Sequence, residues 1–291
     1  MRLEAPVTDS AAPCILVFDS GVGGLSVARC IHESMPGAEI VYLADNAGFP
    51  YGDQPEPVVI ERSTTLIRRA LEAIPCDVVV VACNTASTVV LPRLRAMIDV
   101  PVVGVVPAIK PAAARTLNRR IGVLATPATV RRPYLDRLIE EFASDCLVER
   151  VGHPALVCWA EQLVSGIPVP EAELREVVEP LKRSGVDTVV LGCTHYPLLL
   201  DALKTVLPDI RHWVDSGDAI ARRVQFLLGE AGWEPEAIAE GHRPDPVRAV
   251  LLSGDVPDGL ARFMASLGLA VRRIGERWGG LADPVRLTGS A

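Results

Sequence analysis

A chain of 291 residues, 49% of them hydrophobic, is long enough for two domains with cores of their own and rules out a disordered polymer. Its net charge of −7 and pI of about 5.3 exclude a general nucleic-acid binder, which needs a basic surface to neutralise phosphates. No apolar stretch reaches spanning length without charges, so the expectation is cytoplasmic residence with no membrane partner.

In chain order, residues 1–13 read as a loose extension. A strand is expected at 14–18, a helix at 24–35, a strand at 40–43, a helix at 57–74 and strands at 78–81, 102–105 and 121–124. A helix at 131–142, a strand at 146–148, a helix at 170–183, a strand at 188–191 and a helix at 218–228 follow. Residues 234–246, with three prolines and mixed charges, read as a loop before a last strand at 249–252 and a helix. Strands alternating with helices imply an α/β fold of parallel sheets and right-handed crossovers. Punctuation near 104–107 and 215–217 marks crossing points between units.

Two of the runs look like copies. Asp77 opens a stretch of four valines that ends at Cys83-Asn84-Thr85, and Asp187 opens Thr-Val-Val-Leu, which ends at Cys193-Thr194-His195. In each, a buried parallel strand delivers a thiol six residues after the aspartate, at the carboxyl end where α/β proteins hold ligands. A second echo, Phe18-Asp19-Ser20-Gly21 against Val214-Asp215-Ser216-Gly217, points to the same internal duplication. Paired thiols on one cleft suit a reaction that needs one proton acceptor and one proton donor in either direction.

Seven cysteines in no regular framework argue against disulfide scaffolding. Cys14, Cys30, Cys76, Cys146 and Cys158 lie in or beside apolar periodic stretches and read as small buried hydrophobes. No Cys-x-x-Cys or His-x-x-x-His is present, so no metal is expected. The three lysines, Lys110, Lys182 and Lys204, fall in helical or helix-flanking stretches, which disfavours a Schiff-base cofactor.

His195, two residues beyond Cys193, reaches the same side if the backbone there is extended, and a cationic neighbour favours thiolate. Residues 19–24, Asp-Ser-Gly-Val-Gly-Gly, form a glycine-rich turn that resembles a phosphate cradle. The Asp19 carboxylate repels a pyrophosphate there and suits an ammonium group. Asp45 reads either as the ribose acid of a dinucleotide site or as a turn former, and Tyr51-Gly52 offers a hydroxyl and an amide to a small ligand.

These segments, with Gly104-Val105-Val106-Pro107, the run Leu191-Gly192-Cys193-Thr194-His195-Tyr196-Pro197-Leu198, Asp215-Ser216 and Ser253-Gly254-Asp255, resemble the glutamate racemase family over residues 15–269. The resemblance implies interconversion of L- and D-glutamate without a cofactor, supplying D-glutamate for peptidoglycan. Cys83 and Cys193 then flank the α-carbon, Asp19 and His195 assist them, and Ser20, Tyr51, Gly52, Asn84, Thr85, Thr194 and His195 hold substrate. Glu161 assists on the His195 side, although Gly152-His153-Pro154 and Val157-Cys158-Trp159 around it depart from the family pattern. Two pseudo-symmetric doubly wound α/β domains are implied, 1–106 with 217–291 and 107–216, with the site in the cleft between them and a homodimer left open. An aspartate-directed relative, a dinucleotide-dependent oxidoreductase and a non-catalytic binder of small anions are the rival readings.

Overall fold

The computed structural model describes residues 12–241 and 243–281. Within them run β1 (Cys14–Asp19), β2 (Glu39–Ala44), β3 (Val78–Val81), β4 (Val102–Gly104), β5 (Arg120–Ala125), β6 (Leu147–Gly152), β7 (Thr188–Leu191), β8 (His212–Val214), β9 (Val247–Leu252) and β10 (Ile274–Gly275). A six-stranded sheet has the order β10-β9-β2-β1-β3-β4 and a four-stranded sheet the order β6-β5-β7-β8, with every neighbouring pair parallel. The expected extension at 1–13 lies outside the described residues except for Ala12 and Pro13, which are buried.

The strands form where β-branched and aliphatic residues can be buried on both faces. Along β1, Ile15 and Val17 pack with helices Leu25–Ser34 and Gly217–Glu230, while Leu16 and Phe18 pack with helices Glu56–Ala73 and Asn84–Arg95. The second sheet repeats this: Val189 and Leu191 face helix Glu171–Arg183, and Val190 faces helices Ile109–Arg115 and Pro133–Phe142. Each such side chain removed from water contributes ~1.5–3 kcal/mol before entropy is subtracted.

The duplication is visible in the topology, since β2-β1-β3-β4 and β6-β5-β7-β8 have the same order when β5 is matched to β1. The two opening aspartates carry the same duty. Asp77 N–H donates to the Cys14 carbonyl at the start of β1, and Asp187 N–H to the Arg120 carbonyl at the start of β5. Their carboxylates accept from the chain entering those strands, Asp77 from Cys14 N–H and Asp187 from Leu117 and Asn118 N–H. The Asp-Ser-Gly echo is not part of this repeat, because β1 is internal to its sheet whereas β8 is an edge. Both copies are strand-to-helix turns, and the likeness reflects that shared local task.

Several elements differ from expectation. The 234–246 loop contains helix Pro235–Glu240, and the strand expected at 146–148 runs Leu147–Gly152. Helix Asn84–Arg95 starts directly after Cys83 despite Thr85, Thr88, Val89, Val90 and an internal Pro92, because Ala86, Val90 and Leu94 lie along one buried stripe. Helix Ala155–Gln162 was also not anticipated. Among the described residues, no helix is long and apolar enough to cross a membrane.

Candidate active site

The carboxyl ends of β1, β3, β5 and β7 converge on a cavity of about 90 Å³. Ser20 comes to it from the end of β1, Cys83, Asn84 and Thr85 from β3, Thr126 from β5, and Cys193, Thr194 and His195 from β7. Tyr51 and Gly52 also line it. Asp19 and Glu161 are not on its wall but stand directly behind residues that are.

On the Cys83 side, the thiol is 3.8 Å from the Ser20 hydroxyl, and the residue stands at the N-cap position of helix Asn84–Arg95 without a side-chain capping bond. Burial raises its pKa well above the ordinary thiol value and the Asp19 charge adds to this, while the Ala86 amide and Ser20 pull the other way. Asp19 is fully buried. Its carboxylate accepts from Ser20 N–H at 2.6 Å and from the Thr194 hydroxyl at 2.9 Å. Burial raises the Asp19 pKa, opposed by His195 and these hydrogen bonds.

On the Cys193 side, the sulfur is 3.7 Å from His195 Nδ1, and His195 Nε2 is 2.7 Å from Glu161 Oε1. Burial alone would discharge this imidazole, but its contacts with Cys193 and Glu161 win and raise its pKa well above the ordinary histidine value. His195 reaches Cys193 through a helical turn (φ −70°, ψ −29°), not through the extended backbone expected.

The glycine-rich turn does not serve as a phosphate cradle. Val22 N–H, the amide that would meet a phosphate, donates to Glu161 Oε1 at 2.7 Å. A Cβ on Gly21 would collide with the Glu161 carboxylate, and one on Gly23 with the His195 ring. The glycines are required because side chains from the other sheet's unit fill that space. Asp45 is likewise no ribose acid: it is buried and accepts from Tyr51 OH (2.6 Å), from Nε and Nη2 on one edge of the Arg62 guanidinium (2.7 and 2.6 Å) and from Ser253 (2.5 Å). The Tyr51 hydroxyl is therefore committed to Asp45, and the residue meets the cavity with its remaining surface.

Further hydrogen bonds join the two halves at the site. Asn84 Nδ2 donates to the Gly192 carbonyl at 2.8 Å, and Ser26 Oγ to the Thr194 carbonyl at 2.8 Å. Asn84 Oδ1 is buried with no partner, an acceptor left for whatever enters the cavity.

Sequence reasoning missed several parts of the wall, among them Phe49, Asp53, Thr126 and Arg131. Thr126 could have been found as the residue that follows β5, the counterpart of Ser20 after β1. Arg131 is exposed and its guanidinium has no partner among the described residues. Cys158, expected to be buried, is exposed and lines the cavity, because Leu156, Val157 and Ala160 form the inward face of its helix. Cys30, Cys76 and Cys146 are only partly buried, since each lies at the rim of its apolar cluster.

Two parallel sheets of matching order that deliver one thiol each to a common cavity define an α/β protein built for chemistry on a small ligand. A family model described as Asp/Glu/hydantoin racemase matches residues 20–224, and the chain belongs to that family. It is 46% identical over 254 residues to the glutamate racemase of Shewanella loihica, covering 87% of this chain and 92% of that protein. With the glutamate racemase of Proteus mirabilis it shares 51% identity over 231 residues, 77% of this chain and 80% of that one. The crystal structure of Escherichia coli glutamate racemase with L-glutamate and the activator UDP-MurNAc-Ala superposes with a TM-score of 0.81 at 41% identity, covering 91% and 98% of the two chains.

Proposed function

We propose that this chain interconverts L- and D-glutamate by a two-base mechanism that uses Cys83 and Cys193 and no cofactor. The observation that carries the reading is that both thiols line one small cavity, each at the end of an equivalent strand. One sulfur, as thiolate, takes the α-proton from one face of the substrate. The other, as thiol, gives its proton to the opposite face, so the two sulfurs exchange protonation states with each turnover. Kinship with glutamate racemases, one crystallised with L-glutamate, supports the substrate.

Proton removal beside a carboxylate builds charge on a group already negative, so fixed donors must meet that charge as it forms. Asn84, Thr85 and Thr194 on the wall are the residues proposed to supply these donors, and Asn84 Oδ1 offers an acceptor to the ammonium group. Asp19 positions Ser20 and Thr194, while Glu161 holds His195 charged beside Cys193. In this reading the two sheets are the cores of two units, 1–106 with 217–291 and 107–216. The D-glutamate made in the cytoplasm goes to peptidoglycan synthesis.

Exchange of the α-hydrogen with D₂O, followed by NMR from each enantiomer, tests the proposal. Cys83→Ser is expected to depress exchange from one enantiomer by ~10²-fold or more relative to the other, and Cys193→Ser to show the opposite bias. Equal losses from both enantiomers in both variants would remove the separate roles. Binding of glutamate without any exchange would leave only a binder of small anions.

A further inference from the structure

We propose that Cys14 and Cys76 form a dithiol site outside the catalytic cavity that takes a hydroperoxide and closes into a disulfide. Cys14 begins β1, and Cys76 lies two residues before β3, so the pair sits at the amino ends of the strands whose carboxyl ends carry Asp19 and Cys83. The length of β1 puts roughly 15 Å between the two sites.

Their sulfurs are 3.3 Å apart, about 1.3 Å beyond the ~2.0 Å of an S–S bond. The backbone around them is already tied together. Cys14 N–H donates to the Asp77 carboxylate at 2.7 Å, and Asp77 N–H donates back to the Cys14 carbonyl at 2.8 Å. Small side-chain rotations can therefore close the gap while the strands stay in place. Among the described residues no other two cysteine sulfurs make such a contact, and all seven cysteines are free.

Exposure assigns the order of events. Cys14 is 2% exposed and Cys76 is only partly buried, so the oxidant meets Cys76 first. The Cys76 sulfur takes the hydroxyl of the hydroperoxide and is oxidised to a sulfenic acid, while the peroxide is reduced and its other oxygen leaves as water or alcohol. Cys14 sulfur then attacks the sulfenic sulfur, the S–S bond forms, and the hydroxyl leaves as water with the thiol proton. Two thiols and one hydroperoxide thus give one disulfide and, with hydrogen peroxide, two waters. The hydrogen bond to Cys14, with burial second, raises the Cys76 pKa above the ordinary thiol range, so the rate climbs as pH rises.

The test is titration of the reduced full-length chain with hydrogen peroxide, alkylation of the remaining thiols, digestion and mass spectrometry. A Cys14–Cys76 linked peptide pair, two hydrogens lighter than the reduced forms, is expected. The bridge should form at an unchanged rate when Cys83 and Cys193 are both replaced by serine, and be absent in C76S. Cys76 driven to sulfinic acid with Cys14 still open to alkylation after unfolding would overturn the proposal. So would bridges that form only through Cys83, Cys193 or Cys158. The reading on the unsubstituted chain decides the matter even if a variant fails to fold, and it is independent of the catalytic assignment.

Discussion

His195 is buried, which disfavours its charged form, but Cys193 at 3.7 Å on one ring nitrogen and Glu161 at 2.7 Å on the other raise its pKa well above the ordinary histidine value. The pH consequence follows in sign. A histidine whose folded pKa is raised adds stability that is fully present below its unfolded value near 6.5 and is lost as pH climbs through the higher folded value. Glu161→Gln removes one of the contacts that raise it. The imidazole then loses its proton at lower pH, which an NMR titration of the His195 ring reads directly. The alkaline limb of kcat/KM should move to lower pH. An unmoved titration would mean that Glu161 only shapes the glycine-rich turn.

At the scale of elements, the two aspartates that open β3 and β7 act as clamps on the strands beside them. Burial works against charge on Asp187, but donors from Thr116, Thr188, Leu117 and Asn118 outweigh it and hold its carboxyl below the ordinary value. Stability from this source is present above the unfolded carboxylate value and fades as pH falls through the folded one. Asp187→Ala is expected to cost ~1–3 kcal/mol in denaturant unfolding while turnover per folded molecule stays near that of the parent.

The aspartate clamps belong to runs that were plain in the sequence, because strands buried on both faces are written as unbroken apolar text. Strands β8 and β10 were not anticipated, being three and two residues long, and most of β6 was hidden by Glu149 and Arg150, charges that an edge strand tolerates. Helix Asn84–Arg95 escaped notice because its packing overrides poor propensity. Local motifs fixed the positions of Cys83, Asn84, Thr85 and Cys193. Of the two readings of Asp45 the turn former holds, while its buried bonds to Tyr51, Arg62 and Ser253, like the place of Arg131 on the wall, are brought together only by folding.

At the scale of the whole molecule, a protein with a net charge of −7 must admit an anionic amino acid. Bulk charge opposes that entry, and Arg131 on the cavity wall, which has no partner among the described residues, offsets it locally. Arg131→Ala should raise KM for glutamate ~3–10-fold with kcat within about twofold of the parent, and the difference should shrink as salt is added. Arg131→Lys should recover most of the loss. A KM unaffected at low salt would assign the residue to solvent.

The bonds that stitch the halves together, Val22 to Glu161, Thr194 to Asp19, Asn84 to Gly192 and Ser26 to Thr194, surround the reaction chamber itself. One seam therefore serves as both scaffold and catalytic surround: a substitution that loosens any of these four bonds also disturbs groups beside Cys83 or Cys193.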